Sequence, residues 1–121
     1  MAEMLYTKEH MWVCQDGDTT KVGLSSYALT QLKNIVFMSL PEVGDSFDVG
    51  DTLGDVESVK TVEDLISPVA GEVTAVHEEL LNNPSAIGDT VDTGWLLTFT
   101  TTGEVAELLS ESDYQKYVAT L

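Results

Sequence analysis

The chain has 121 residues, 43% of them apolar, and sets 5 basic against 21 acidic side chains for a formal net charge of −16 at pH 7. That length suits one domain with its own core, and the apolar fraction belongs to a packed globule rather than a disordered chain. The basic residues are all lysines (Lys8, Lys21, Lys33, Lys60 and Lys116), too sparse to neutralise the phosphates of a nucleic acid or to dock on an anionic membrane.

The N-terminal Met1-Ala2-Glu3-Met4 lacks the basic and apolar regions of a signal peptide, and no apolar run reaches the roughly 20 residues of a spanning helix. A single cysteine, Cys14, has no partner for an internal disulfide, so a cytoplasmic, self-repelling and soluble monomer is expected. Met11-Trp12-Val13-Cys14 and Lys21-Val22-Gly23-Leu24 flank an Asp16-Gly17 pair that predicts a hairpin. Ser25-Ser26 caps a short helix whose Ala28, Leu29 and Leu32 recur at helical spacing. Ile35-Val36-Phe37-Met38 reads as a buried strand, ended by turn chemistry in Pro41-Glu42-Val43-Gly44-Asp45.

The stretch Asp51–Lys60 is followed almost at once by the strand pattern Thr61–Ile66, which predicts a tight hairpin with its tip near Val59-Lys60. Glu72–Val76 alternates as a strand, Asn82-Asn83-Pro84 breaks the chain, and Trp95–Thr100 is the last strand. The tail Glu104–Leu121 predicts two short helices, with Ser110 or Ser112 as a cap and an apolar face of Leu108, Leu109, Tyr117, Val118 and Leu121. The whole is a mainly β single domain: an N-terminal extension over 1–34, a core over about 35–100 and a helical tail over 104–121. Gly44-Asp45-Ser46-Phe47-Asp48-Val49-Gly50-Asp51-Thr52-Leu53 is echoed in register by Gly88-Asp89-Thr90-Val91-Asp92-Thr93-Gly94-Trp95-Leu96-Leu97. Either the fold has two related halves or both segments share a turn preference for Gly and Asp.

Enzyme constellations are absent. His10, His77 and Cys14 have no metal-ligand spacing, and there is no phosphate loop, nucleophile elbow or zinc-protease motif. His10, beside Trp12, reads as a packing or hydrogen-bonding residue, and Cys14 as a small buried apolar one. Lys60 stands out: a cation on a hairpin tip, amid Asp55, Glu57, Glu63 and Asp64. A surface lysine offsetting carboxylates is worth little. A lysine used as a tether must be exposed, rigidly based and reachable by a modifying enzyme, and a tight hairpin tip provides all three.

Glu57-Ser58-Val59-Lys60, with Ser67-Pro68-Val69-Ala70-Gly71-Glu72-Val73, resembles the lipoyl-attachment region of the glycine cleavage system H protein family. Tyr6-Thr7-Lys8-Glu9-His10, Trp12, Val22-Gly23-Leu24, Leu40-Pro41-Glu42-Val43-Gly44, Asn83-Pro84 and Gly94-Trp95-Leu96 carry the resemblance along nearly the whole chain. A biotinyl carrier would have methionines beside the lysine, where this chain has Val59 and Thr61. The resemblance implies a lipoyl/biotinyl-type flattened β-barrel (a barrel-sandwich hybrid) with a short internal helix and C-terminal helices. It implies one covalent lipoate, on Lys60, as a swinging arm that shuttles the aminomethyl intermediate of glycine between glycine decarboxylase, aminomethyltransferase and dihydrolipoyl dehydrogenase. Such a chain is a carrier rather than an enzyme, and Glu57 is then read by the lipoylating enzymes.

Three departures bear on that expectation. The family usually has an acid between the His and the Trp, which with the aspartate four residues after the lipoyl lysine lies near the loaded arm's amino group. Asp64 is retained, but the other position is Met11. Glu9 is the substitute at hand, though in a strand it would share Met11's side. Lys33-Asn34 replaces the usual Gly and acid, and Gly88 replaces an Asn while a Pro-Tyr-Gly stretch is missing. The Met11 change gives weight to an alternative, an H-like relay that donates lipoyl groups to other lipoyl domains or serves a redox-linked protein-modification system.

Overall fold

A computed structural model of the chain describes residues 4–17, 19–88 and 91–121. Met1–Glu3, Asp18, Asp89 and Thr90, on which parts of the leader, hairpin and echo readings fall, lie outside the described residues. In chain order the elements are β1 (Met4–Tyr6), β2 (Met11–Asp16), β3 (Thr19–Leu24), α1 (Ser26–Leu32), β4 (Ile35–Ser39), β5 (Ser46–Phe47), β6 (Thr52–Ser58), β7 (Val62–Ile66) and β8 (Val69–Val76). After them come α2 (Glu78–Asn82), a 3-10 turn (Pro84–Ala86), α3 (Val91–Gly94), β9 (Trp95–Val105) and α4 (Glu111–Val118).

The strands form a six-stranded sheet, ordered β1-β2-β3-β9-β8-β5, and a three-stranded sheet, ordered β4-β6-β7. Alternation along each strand turns one face of each sheet to a shared core. Val13, Val22, Val73, Leu97 and Phe99 come from the larger sheet, and Ile35, Met38, Leu53, Val56 and Leu65 from the smaller. The fold is mainly β, a flattened two-sheet barrel with short helices, as expected. No helix among the described residues is long and apolar enough to cross a membrane.

Turn chemistry moves the chain between the sheets. Asp45 Oδ2 accepts from the Glu42 amide at 2.9 Å and Asp51 Oδ2 from the Asp48 amide at 2.8 Å. Gly44 and Gly50 take φ of 99° and 91° inside these two loops, values that favour glycine. The first loop delivers β5 to the larger sheet and the second returns β6 to the smaller one. Within the echo, Leu53 and Leu97 fall in strands of opposite sheets and are both buried, while Phe47 is in a strand and its counterpart Val91 in a helix.

The tail differs from the sequence expectation. β9 continues to Val105, Leu109 makes an antiparallel bridge to Tyr6, and only Glu111–Val118 is helical, capped by Ser110. Thr98 to Thr102 is strand-forming, and pairing with β8 carries it past the Gly103 where a helix was expected to follow. Tyr114, not Leu121, is the buried anchor of α4. Cys14 is half-buried at the end of β2's core-facing stretch rather than fully buried.

Gly54 lies at a register shift in β6, where the strand passes Ser39 of β4. A methyl group there would collide with the Ser39 carbonyl oxygen, and the atoms it meets are all Ser39–Leu40 backbone, so no side chain can give way. Gly54→Ala is expected to destabilise the protein by about 1–3 kcal/mol, read as a lower denaturant midpoint at unchanged slope.

Candidate functional site

The β6–β7 hairpin is closed by one side chain. Ser58 Oγ accepts from the amides of Lys60 (3.4 Å) and Thr61 (3.1 Å) and donates to the Thr61 carbonyl (3.1 Å). The Ser58 amide donates to that same carbonyl at 2.8 Å. Serine favours such local turn bonds. The Val59 amide donates to the Asn34 carbonyl at 3.3 Å, tying the tip to the α1–β4 connection. Lys60 is exposed at the tip.

Asn34 is aimed by its neighbour. Lys33 ends α1 with φ of 58°, left-handed for a residue with a side chain. A glycine would suit this backbone, which gives the Lys33 departure a structural meaning.

Two cavities run along α1. One, of about 480 Å³, is lined by Gln31, Leu32, Lys33, Val59 and Lys60 among others. The other, of about 190 Å³, is walled by Glu9, His10, Tyr27, Glu63 and Asp64, and shares Gln31 and Leu32 with the first. One cavity thus lies at the Lys60 base and the other holds a group of carboxylates, with Gln31 and Leu32 in the walls of both. Among the described residues no cluster of acids, histidines and cysteines could hold a metal ion.

Sequence reasoning misplaced Glu9. The backbone leaves the strand pattern after Tyr6: the Thr7 amide donates to the Met11 carbonyl (2.8 Å) and the His10 amide to the Thr7 carbonyl (3.1 Å). This loop, with His10 at φ 69°, turns Glu9 and His10 to the cavity while Met11 enters the core. Glu9 and Met11 therefore do not share a side. Of the residues singled out from sequence, Asp64 lines the acidic cavity, Lys60 lines its neighbour, Glu57 is exposed on the hairpin and Met11 is buried in the core. Gln31, Glu63 and Tyr114 were missed; only Glu63, in the acidic run beside Asp64, carried any signal.

Tyr114 bridges the ends of the chain. Its hydroxyl lies 2.7 Å from His10 Nδ1 and 2.8 Å from Ser25 Oγ, and Ser25 Oγ accepts from the Ala28 amide at the start of α1. A neutral His10 completes this chain, with Ser25 donating to Tyr114 and Tyr114 donating to Nδ1. Burial lowers the His10 pKa from its ordinary 6.5, outweighing the opposing pull of Glu63 and Glu9. Burial likewise raises the Tyr114 phenol, against the hydrogen bond from Ser25.

An imidazole held below its ordinary value takes up its proton in the unfolded chain first. The stability it contributes is present above about pH 6.5 and is lost as pH falls through the lowered folded value. His10→Asn, which tolerates the left-handed backbone, is expected to flatten this loss. Thermal unfolding of both proteins at about pH 7.5 and about pH 5.5 checks it, the carboxylates common to both cancelling.

The family model described as "Glycine cleavage H-protein" matches residues 4–121. The "Glycine cleavage system H protein" of Listeria welshimeri is 47% identical over 117 residues, covering 94% of this chain and 94% of that one. That of Herpetosiphon aurantiacus is 42% identical over 117 residues, covering 96% and 91%. The crystal structure of a glycine cleavage system H protein from Mycobacterium marinum superposes with a TM-score of 0.90 at 36% identity, covering 97% of each chain. By the family-model match over residues 4–121 and by relatives alike over nearly the whole length, this chain belongs to the glycine cleavage H-protein family.

Proposed function

We propose that the chain is the lipoyl carrier of a glycine cleavage system, loaded with one lipoate on Lys60, and that it hands its cargo between glycine decarboxylase, aminomethyltransferase and dihydrolipoyl dehydrogenase. The observation that carries this reading is an exposed lysine on a closed hairpin, lining a cavity whose neighbour along α1 is walled by carboxylates. Lipoate bound as an amide there would supply the thiols that carry an aminomethyl cargo and two electrons.

The residues present fit such an arm. The tip backbone is held by Ser58 and Asn34, so the base is rigid while the side chain remains free to swing. A tethered cargo meets successive partners at high effective concentration. The shared lining of Gln31 and Leu32 joins the arm's base to the inner cavity. Glu9 and Asp64 offer charged acceptors to a cationic amine. His10, kept neutral by burial, adds no competing positive charge.

Glu9 at this cavity supports the glycine reading over the relay, because it offers a carboxylate where Met11 cannot. The chain's role is attachment, orientation and recognition; the partners bring the active sites. The acidic surface suits partners with basic faces, whose association is expected to weaken as salt rises.

Incubated with lipoate, ATP and a lipoate–protein ligase, the protein is expected to gain one lipoyl mass, and Lys60→Ala to gain none. Modification that persists in Lys60→Ala overturns the site assignment. Reconstituted with the other glycine cleavage components, the loaded protein should release carbon dioxide from glycine; failure to do so favours the relay. Glu9→Gln combined with Asp64→Asn is expected to shorten the lifetime of the loaded cargo by about tenfold or more, measured as its loss from the isolated carrier.

A further inference from the structure

Helix α4 grips the loop after β1 on both sides of one carboxylate. Tyr114 and Tyr117 stand three residues apart on α4 and so share a face. Tyr117 lies under Lys8, whose Nζ is 5.7 Å from the ring centroid. Tyr114 holds His10, with its hydroxyl 2.7 Å from Nδ1. The residue between Lys8 and His10 is Glu9, part of the wall of the acidic cavity. The His10 ring also packs against Tyr117, with centroids 6.2 Å apart, and against Tyr27 of α1 at 4.7 Å.

The loop needs such a hold. His10 takes φ of 69°, a left-handed backbone that costs a residue with a side chain roughly 1–2 kcal/mol and persists only where its surroundings enforce it. Two bonds hold its backbone: its amide donates to the Thr7 carbonyl at 3.1 Å, and its carbonyl accepts from the Ser25 amide at 2.9 Å. The third hold is through the ring, to Tyr114. That phenol is buried and stacks on Tyr6 at 4.7 Å with 9° between the planes, which fixes its direction. Its hydroxyl also lies 2.8 Å from Ser25 Oγ, the cap of α1. One hydroxyl therefore joins the loop to α1, and both wall the same cavity: Glu9 and His10 from the loop, Tyr27 and Gln31 from α1. Asp64 reaches that cavity separately, on β7, which is held by its pairing with β6.

We propose that Tyr114 is a positioning residue for Glu9, with α4 acting as a clamp that sets this carboxylate towards the cationic amine of the cargo. This rests on the carrier reading above. No α4 residue lines either cavity along α1, so the helix acts only through the loop it grips. Glu9 is exposed, so its carboxylate is placed by the backbone beneath it and not by burial. A charge-assisted bond forms only where the acceptor oxygen is brought to the amine, and a small misplacement at a distance is enough to lose it. A loop released from Tyr114 relaxes His10 out of its left-handed setting and carries Glu9 with it. Asp64, on its own strand, stays where it is.

Two measurements test this. In the protein without its arm, Tyr114→Phe keeps the buried ring and removes only the hydroxyl. It is expected to speed hydrogen exchange at the His10 and Met11 amides, both bonded within the loop, by about tenfold or more. The His10 ring nitrogens, read by NMR, should lose the single tautomer that accepts at Nδ1. In the loaded carrier, Tyr114→Phe is expected to shorten the lifetime of the cargo about threefold, as Glu9→Gln does, and the two combined no further. With Asp64→Asn the effects should multiply. Tyr117→Leu, which removes the ring beneath Lys8, is expected to shorten the lifetime about twofold. Val73→Ala, a core truncation in the larger sheet, should lower the melting temperature and leave the lifetime unchanged. A wild-type lifetime in Tyr114→Phe overturns the proposal, as does a loss that multiplies with Glu9→Gln or an equal loss in Val73→Ala. Unchanged amide exchange and tautomer in Tyr114→Phe overturn it even where the cargo is lost faster. Wild-type protein that gains no lipoyl group overturns the carrier reading itself, and amide exchange, read without any arm, still decides whether Tyr114 holds the loop.

Discussion

The closed turn at Ser58 is the constraint on which the rest of the site depends. The Ser58 side chain is buried, and its hydroxyl holds three backbone groups of a turn with no room for a fourth partner. A buried hydroxyl left unpaired costs about 1–3 kcal/mol, so the turn and the hydroxyl enforce each other. The Val59–Asn34 bond then fixes the tip against α1. Without these contacts Lys60 would sit on a fraying loop. With them, its backbone is held by hydrogen bonds while its side chain stands exposed at the tip. The same α1 segment walls both cavities, so holding the tip and shaping the path beneath it are one structural act.

Electrostatics sort the site into two faces. Towards α1, carboxylates Glu9, Glu63 and Asp64 surround a ring that burial keeps neutral. That balance depends on desolvation outweighing two nearby negative charges, and on Tyr114, brought from the far end of the chain, occupying Nδ1. On the outer face, a single carboxylate stands between apolar side chains. The inner face gathers carboxylates at a cavity, while the outer one sets a single carboxylate in an apolar row. An acidic chain thus uses its charge differently on each side of one hairpin, and its net charge alone says neither.

Much of the fold was legible because it rests on local chemistry. The Asp-Gly hairpin, the Ser25 cap, the strand alternation and the lysine tip all follow from turn and period rules acting within a few residues. The tail was misread because Leu108 and Leu109 look helical in isolation; what decides them is the bridge between Leu109 and Tyr6, a contact across the whole chain. Glu9 was misplaced for a similar reason. The strand pattern from Tyr6 to Trp12 hides a loop closed by Thr7 and Met11, which only the hydrogen bonds reveal.

The amino-acid sequence by itself determined the family pattern, the mainly β architecture and the lysine at a hairpin tip, because these are written in short motifs and in alternation. Tertiary structure decided everything that depends on which distant residues meet. It set Glu9 and Asp64 in the walls of one cavity and buried Met11; it placed two cavities along α1; it brought Tyr114 to His10. It also turned Phe37 outward through a one-residue bulge that no hydrophobic pattern announces. The physical reason is common to all of them. Sequence periodicity records which side of an element a residue takes, while loops and bulges reset that side, and their settings are fixed by contacts made only in the folded chain.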